Sequence, residues 1–193
     1  MNSGGGLESL RRNIMSVNQT LDTIFSRTSY RGSFKEEPIP REDLTAIMEA
    51  GIAAPSGCNR QTTSLIAVDD PKLLRKIKDL YPNPSCQTAP AFILVLTQQI
   101  VGVDGHYYHV QDYAAAIENM LLAMKSLGYE SCWYEGNVRP HAAQIADLLK
   151  IPDGISLVCL LPVGIAADEV VRTKGKKPFQ ERAWFNGMVS EGQ

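Results

Sequence analysis

The sequence predicts one α+β domain in which helices flank a mixed β-sheet. Segments with apolar residues at three- and four-residue spacing alternate with short apolar runs of strand length, and no internal repeat is visible. The chain has 193 residues, of which 44% are apolar and 21% charged, so it can form one sizeable core. These proportions are typical of a globular domain rather than of a disordered chain.

Two helices are predicted before the first strand. Apolar residues from Leu7 to Phe25 recur at helical spacing, although three glycines precede the pattern and three polar residues interrupt its start. A second helix is expected over about residues 41–53, where four apolar residues share one face. The turn formers at residues 55–57 end it.

The middle of the chain contains the clearest strand. Residues 64–68 predict a first strand, and Pro71 opens a short helix because its fixed φ suits the first helical turn. An uninterrupted apolar run over residues 91–97 then predicts a strand that is buried on both faces.

The longest predicted helix covers about residues 110–127. Its apolar stripe ends at Gly128, which suits a C-terminal cap. A short strand over residues 131–134, a helix over 140–149 and a strand over 155–161 complete the domain before a polar and basic segment.

Three parts are expected along the chain. Met15 is hypothesised to be the initiator, which leaves residues 1–14 as a disordered extension, residues 15–187 as the folded domain and residues 188–193 as a tail. The N-terminus lacks the apolar region of a secretory signal, and no segment approaches the roughly 18 apolar residues of a membrane span. A cytoplasmic location is therefore expected.

Charge and cysteine content narrow the class of partner. The net charge of −2 at pH 7 provides no broad basic face for a nucleic-acid backbone, so the expected partner is a small molecule. The four cysteines form no CxxC pair, which argues against a zinc knuckle or a thioredoxin-like couple. Cys132 and Cys159 lie in apolar stretches and are interpreted as small core residues.

The first candidate motif follows the first predicted helix and consists of Arg27, Ser29 and Arg31. In an extended segment these side chains project to one side, which places a hydroxyl between two guanidinium groups and suits a phosphate dianion. A solvated arginine pair near a helix C-terminus is an equally good interpretation of the motif alone.

The second candidate motif is the loop after the second helix. It presents a hydroxyl, open backbone amides and an amide side chain, contributed by Pro55, Ser56, Gly57 and Asn59. Such groups can bind the polar edge of a heterocycle, although a plain helix-terminating loop explains most of the same residues.

Two further short motifs lie in the second half. Glu135-Gly136 comes directly after an apolar run, where a glycine permits close approach of a planar ligand or simply ends a strand. The basic segment that contains Lys174 and Lys176 can complete a phosphate site or form an ordinary solvated charge run.

Together the four motifs resemble those of the nitroreductase family of flavoproteins, in order and spacing, over about residues 21–184. The resemblance implies an α+β sandwich whose subunits exchange terminal segments, so that a domain-swapped homodimer carries two FMN sites at its interface. Residues 15–187 would then be a nitroreductase-like FMN-binding domain.

The resemblance also implies which residues hold the cofactor. The FMN phosphate and the adjoining ribityl or pyrimidine atoms would be held by Arg27, Ser29 and Arg31, with charge added by Lys174 and Lys176. The loop residues would reach the flavin from the partner subunit, and these are Pro55, Ser56, Gly57 and Asn59. Glu135 and Gly136 would lie against the ring near N5.

The implied activity is ping-pong oxidoreduction, in which NAD(P)H reduces the FMN and leaves before a small aromatic or conjugated acceptor binds. No catalytic side chain is implied, because flavin N5 is the reactive atom. Tyr81, Tyr107 and Tyr108 are candidates for the lining of the acceptor pocket because of their aromatic character.

The chain departs from the family pattern at three places. Gly57 stands where a second Ser is usual, and Thr62-Thr63 replaces the Pro that usually follows the Gln. Lysine in the tail, where arginine is common, supplies a point charge instead of a bidentate fork.

Other interpretations stay open at the level of sequence. A non-catalytic flavin carrier or sensor, and an enzyme that consumes the flavin or desaturates a ring, fit the same motifs. A metal site would use Asp104, His106, His109 and Asp112, of which the two histidines have helical i, i+3 spacing. Cys58 would be a nucleophile or redox thiol only with an activating neighbour.

Overall fold

A computed structural model of the protein describes residues 18–171 and 175–188. Its helices are α1 (Gln19–Ser26), α2 (Arg41–Ile52), α3 (Pro71–Lys78), α4 (Pro84–Thr88), α5 (His109–Ser126) and α6 (Ala142–Leu149), and its strands are β1 (Thr63–Val68), β2 (Ala91–Thr97) and β3 (Ser156–Val163). None of the helices in these ranges combines the length and the apolar composition that crossing a bilayer requires.

The three strands form a sheet in the order β1-β2-β3, with β2 in the centre. Thr63 lies opposite Thr97, and Ala91 lies opposite Val163, so both pairings are antiparallel. The α+β class is confirmed. The expectation of a mixed sheet is wrong for the described strands, because α3 and α4 return the chain to the same end of the sheet and no crossover makes a parallel neighbour.

The prediction of a strand over residues 131–134 is also wrong. Only its flanks pair with the β3 region, through single bridges from Glu130 to Gly164 and from Tyr134 to Leu160. Between them the carbonyl of Ser131 accepts a hydrogen bond from the Tyr30 amide at 2.8 Å, so it is not available for a ladder. This exchange of partners brings the segment after α1 beside residues 130–134.

The first helix is described only in its last part. Asn18 caps α1, since its side-chain oxygen accepts hydrogen bonds from the amides of Thr20 and Leu21 at 3.1 and 3.2 Å. The rest of the predicted helix, the extension over residues 1–14 and the hypothesised start at Met15 lie outside the described residues. The other predicted helices and strands are confirmed within a few residues.

The core has two layers because every residue of β2 is buried. Phe92, Leu94 and Leu96 pack on one face with α3, α4 and α6, whereas Ile93 and Val95 pack on the other with α2 and α5. Full burial of one large aliphatic side chain stabilises the fold by about 1.5–3 kcal/mol. The uninterrupted apolar run is therefore the strand buried on both faces that the sequence predicts, and the structure places it at the centre of the sheet.

The packing of α2 on α5 positions the loop that follows α2. A Cβ atom at Gly51 would lie 2.8 Å from Cγ of Met120, so the missing side chain lets the two helices approach. The side-chain amide of Asn119 donates to the carbonyl of Ala50 at 3.0 Å across the same interface. The C-terminus of α2, from which the loop at residues 54–62 continues, is held beside the middle of α5.

Candidate active site

Arg27, Ser29 and Arg31 gather around Cys132. Burial raises the pKa of the Cys132 thiol, while the charges of Arg31 and Arg27 and a hydrogen bond with Ser29 act in the opposite direction. Tyr30 points into the core, whereas Ser29 and Arg31 are exposed, which agrees with the extended conformation expected of this segment. Two guanidinium groups and a hydroxyl therefore share one surface.

Some hydrogen-bond donors of this surface have no partner among the described residues. Nε of Arg27 lies 3.2 Å from a carboxylate oxygen of Glu118, yet it makes no aligned hydrogen bond, and the buried hydroxyl of Ser131 has no partner among the described residues. Arg31 forms no ion pair within the same part of the chain. Because buried polar groups are normally paired, the unused donors fit a bound anion such as a phosphate.

Glu135 is held by two donors from its surroundings. The hydroxyl of Tyr113, on α5, donates to one carboxylate oxygen at 3.2 Å, and the indole N–H of Trp133 donates to the other at 3.1 Å. The pKa of Tyr113 is raised, first by burial and then by the charge of Glu135. Gly136 follows with an open backbone, since nothing lies within 4 Å of the place where a Cβ would be.

The loop between α2 and β1 has an unusual backbone. Cys58, Asn59 and Gln61 have φ angles of 52°, 52° and 50°, in the left-handed region that non-glycine residues rarely adopt. Each such residue costs on the order of 1 kcal/mol or more. Within the loop, the hydroxyl of Ser56 accepts a hydrogen bond from the Gln61 amide at 3.0 Å.

Two side chains from the start of α5 hold this loop. Asp112 is only 4% exposed, and its two carboxylate oxygens accept hydrogen bonds from the Gly57 amide and from the Thr62 hydroxyl, each at 2.7 Å. The ring of Tyr108 covers Gly57 so closely that a Cβ there would overlap it. The glycine at this departure from the family pattern is therefore explained by the packing of Tyr108.

A cavity of about 480 Å³ lies beside the loop, between the end of α2, the start of β1 and α5. Its lining includes Met48, Pro55, Ser56, Gln61 and Thr63. The volume is in the range of small-molecule sites, and the lining combines apolar walls with a few polar groups.

The sequence profile described as the nitroreductase family matches residues 24–84 and 78–165, which together contain the arginine segment, the loop and Glu135. The chain belongs to the nitroreductase family. The sequence resemblance is thereby confirmed, and with it the fold.

Relatives and solved structures of the family agree over most of the chain. A protein of Archaeoglobus fulgidus named as a candidate NADH dehydrogenase/NAD(P)H nitroreductase is 31% identical over 157 residues, 79% of this chain and 88% of its own length. An FMN reductase (NADPH) of Bacillus subtilis is 26% identical over 84% of this chain and 70% of its own. The crystal structure of a protein of Parabacteroides distasonis with the same name as the first relative has a TM-score of 0.74 at 30% identity, covering 88% of this chain and 99% of that one. A BluB-like flavoprotein of Clostridium difficile has a TM-score of 0.75 at 25% identity, covering 86% and 98%.

The structure brings together only part of the predicted nitroreductase site. Arg27, Ser29, Arg31, Glu135 and Gly136 lie on two adjacent segments, but no hydrogen bond or ion pair among the described residues joins them to the loop at residues 55–59. Of the tail lysines, Lys176 is exposed on residues 175–188, and Lys174 lies outside the described residues.

Several sequence interpretations need correction. Asp112 anchors the loop and does not join a metal site, and the residues that the structure describes contain no cluster of His, Cys, Asp and Glu suited to a metal. Asp104 instead pairs with Tyr108 and with the amide of His106, which lower its pKa. Tyr81 is buried in the core and lies outside the cavity lining.

Cys58 is a free cysteine within the loop between α2 and β1. It is exposed at the turn beside Tyr108, and no hydrogen bond to its sulfur is found in the described part of the chain. Nothing in that arrangement activates it as a nucleophile.

Proposed function

We propose that this chain, an NAD(P)H-dependent oxidoreductase of the nitroreductase family, uses FMN and passes electrons by a ping-pong mechanism to a small aromatic or conjugated acceptor. The names of its relatives, which include an FMN reductase, an NAD(P)H nitroreductase and a flavoprotein, support the cofactor and the reductant. The observation that carries the proposal is the cluster of Arg27, Ser29 and Arg31 around Cys132, where the buried Nε of Arg27 and the nearby hydroxyl of Ser131 have no hydrogen-bond partner among the described residues.

The arginine cluster is proposed to bind the FMN phosphate. Two guanidinium groups can each donate two parallel hydrogen bonds to a phosphate, and Ser29 adds a neutral donor. Lys174 and Lys176 would add point charges from the C-terminal segment. The adjacent hydroxyl of Ser131 is a further donor. The sequence does not indicate it, because Ser131 belongs to no motif and lies beside the arginine cluster only through its backbone contact with Tyr30.

Glu135 and Gly136 are proposed to lie against the ring. The carboxylate is fixed by Tyr113 and Trp133, so the backbone that follows it is presented in a defined position. The open backbone at Gly136 allows a planar group to approach closely. When bound, FMN supplies the hydride chemistry, while the chain supplies binding, orientation and exclusion of water.

A homodimer is proposed to complete the site. Residues 175–188 expose apolar side chains that cluster on themselves, with the rings of Phe179 and Phe185 6.1 Å apart and Phe185 84% exposed. Such side chains fit an interface in which this segment crosses to the partner. The loop residues Pro55, Ser56, Gly57 and Asn59 would then reach the flavin of the other subunit.

The proposed domain limits and location follow from the sequence alone. The FMN-binding domain would span residues 15–187, between the extension over 1–14 and the tail over 188–193. A cytoplasmic location stays a prediction.

The first test is a visible absorbance spectrum of protein incubated with FMN and then desalted. Retained flavin bands in the wild type, lost in an Arg27→Ala/Arg31→Ala variant that is still folded by circular dichroism, are the expected result. Lys72→Ala, at an exposed lysine away from the cluster, serves as the charge-loss control. A wild-type protein that takes up no FMN contradicts the proposal.

Steady-state kinetics test the activity of the loaded protein. Double-reciprocal plots at several acceptor concentrations should give parallel lines, as a ping-pong mechanism requires. Slow reduction of the bound flavin by both NADH and NADPH would instead favour a carrier or sensor.

A further inference from the structure

We propose that Asp112 is a positioning residue that holds the loop at residues 55–62 in the shape required for flavin binding. The inference rests on the proposed function, because the loop is assigned to the flavin there. Asp112 lies in the first turn of α5 and is almost fully buried. Its carboxylate reaches 50 and 55 positions back along the chain, to the Thr62 hydroxyl and the Gly57 amide at 2.7 Å each.

The two residues that Asp112 holds are both at places where the loop departs from the family pattern, namely Gly57 and the pair Thr62-Thr63. A serine at position 57 would overlap Tyr108, and a proline at position 62 would have no hydroxyl to donate. Of these departures, only Thr62 supplies a side-chain donor to Asp112, because the amide of residue 57 would be present in a serine as well. We infer that α5 fixes the loop through Asp112, and that the contact with Thr62 depends on a residue that departs from the family pattern.

The backbone of the loop needs such a support. Cys58, Asn59 and Gln61 all have positive φ angles, and the hydrogen bond from the Gln61 amide to the Ser56 hydroxyl spans only the loop itself. The carboxylate of Asp112 ties both ends of this strained segment to a helix in the core. Without it, the loop is expected to relax, and Ser56 and Asn59 would leave the positions from which they are proposed to reach the flavin.

Four variants separate positioning from general stability. Asp112→Ala removes both hydrogen bonds, and Thr62→Val removes one while leaving Gly57 paired. Asp112→Asn keeps an acceptor for the Gly57 amide, and its own N–H can donate to Thr62 once that hydroxyl turns. Tyr129→Phe is the matched control, because it removes a hydrogen bond to another carboxylate, that of Asp43 in the first turn of α2, which does not touch residues 55–62.

The readouts are the Kd of the apoprotein for FMN, from quenching of flavin fluorescence, and tryptic cleavage after Arg60. Arg60 is exposed within the loop, so its cleavage rate reports the local backbone without any cofactor. Asp112→Ala is expected to weaken FMN binding about tenfold and to accelerate cleavage, and Thr62→Val to do so about threefold. Asp112→Asn should stay within about threefold of the wild type, and Tyr129→Phe should change neither readout.

The outcomes distinguish this inference from the proposed function. A folded Asp112→Ala variant with wild-type Kd and wild-type cleavage overturns it, as does an Asp112→Asn variant as impaired as Asp112→Ala. If Asp112→Ala does not fold, wild-type values in Thr62→Val overturn it equally. A wild-type protein that binds no FMN defeats the proposed function. Even then, faster cleavage of Asp112→Ala than of the wild type would show that Asp112 holds the loop.

Discussion

The carboxylates of this site act as anchors at the scale of single residues. Glu135 accepts from Tyr113 and Trp133, and Asp112 accepts from the Gly57 amide and the Thr62 hydroxyl. A carboxylate whose oxygens already accept fixed hydrogen bonds is well suited to hold neighbouring groups in place. Carboxylates that position other groups agree with the proposed function, in which the flavin and not a side chain reacts.

Tyr81 provides a prediction at the same scale. It is 3% exposed, and its hydroxyl has no partner in the described part of the chain, so burial raises its pKa to about 12. Tyr81→Phe should raise the free energy of unfolding by roughly 1 kcal/mol at pH 7, because an unpaired polar group is removed. Tyr30→Phe should lower it by a similar amount, since the Tyr30 hydroxyl donates to the Ser33 carbonyl at 2.5 Å.

The sign of the pH dependence follows from the raised pKa of Tyr81. The unfolded chain releases the phenol proton near pH 10, whereas the folded chain keeps it to about pH 12. The stability contribution is therefore complete below pH 10 and is lost between pH 10 and 12, at no more than about 1.4 kcal/mol per pH unit. The free energy of unfolding, measured with urea at several pH values across that window, should fall less steeply with pH for Tyr81→Phe than for the wild type. An equal dependence on pH in the two proteins would contradict the assignment.

At the scale of elements, local patterns were predictable and long-range exchanges were not. The run over β2 and the stripe of α5 specify their own conformation, so both were predicted within two residues. The segment at residues 131–134 has the composition of a strand, but a carbonyl in it pairs with Tyr30, about a hundred positions earlier. Asp112 was missed as a loop anchor for the same reason, since its partners lie far away in sequence.

The contact between the loop and α5 yields a prediction for these two elements. Gly57→Ser restores the residue usual in the family, yet its Cβ would overlap the ring of Tyr108. The variant should lose about 1–3 kcal/mol of stability through overpacking, and trypsin should cleave after Arg60 faster. Adding Tyr108→Gly should recover the slow cleavage, because it removes both the ring and the Tyr108 Cβ, which would itself overlap the new Cβ and which an alanine would keep.

Tyr108→Gly alone is the control for that pair. It removes the whole side chain and its hydrogen bond to Asp104, and so it measures what that side chain contributes by itself. If the double variant is no slower to cleave than Gly57→Ser, the overlap with Tyr108 does not explain the glycine.

At the scale of the whole molecule, the described chain leaves apolar surface that its own core does not cover. Ile52, at the end of α2, is 71% exposed, and Val110 and Leu127 are exposed at the two ends of α5. Together with the aromatic segment after Gly175, these side chains would suit the proposed homodimer interface. Among the described residues no hydrogen bond or ion pair joins the loop directly to the arginine cluster, which is compatible with the proposed site shared by two subunits.

Subunit complementation tests that shared site directly. One variant carries Arg27→Ala/Arg31→Ala, and the other carries Ser56→Ala/Asn59→Ala in the loop; each homodimer should bind FMN poorly. If a site takes its arginines from one chain and its loop from the other, a heterodimer has one site with both defects and one intact site. Random pairing at equal amounts then restores about one site in four, measured by retained flavin absorbance after co-refolding, with heterodimers counted by native mass spectrometry. If both groups served the same chain, every site in the mixture would keep a defect, and FMN binding would not rise above that of the separate variants.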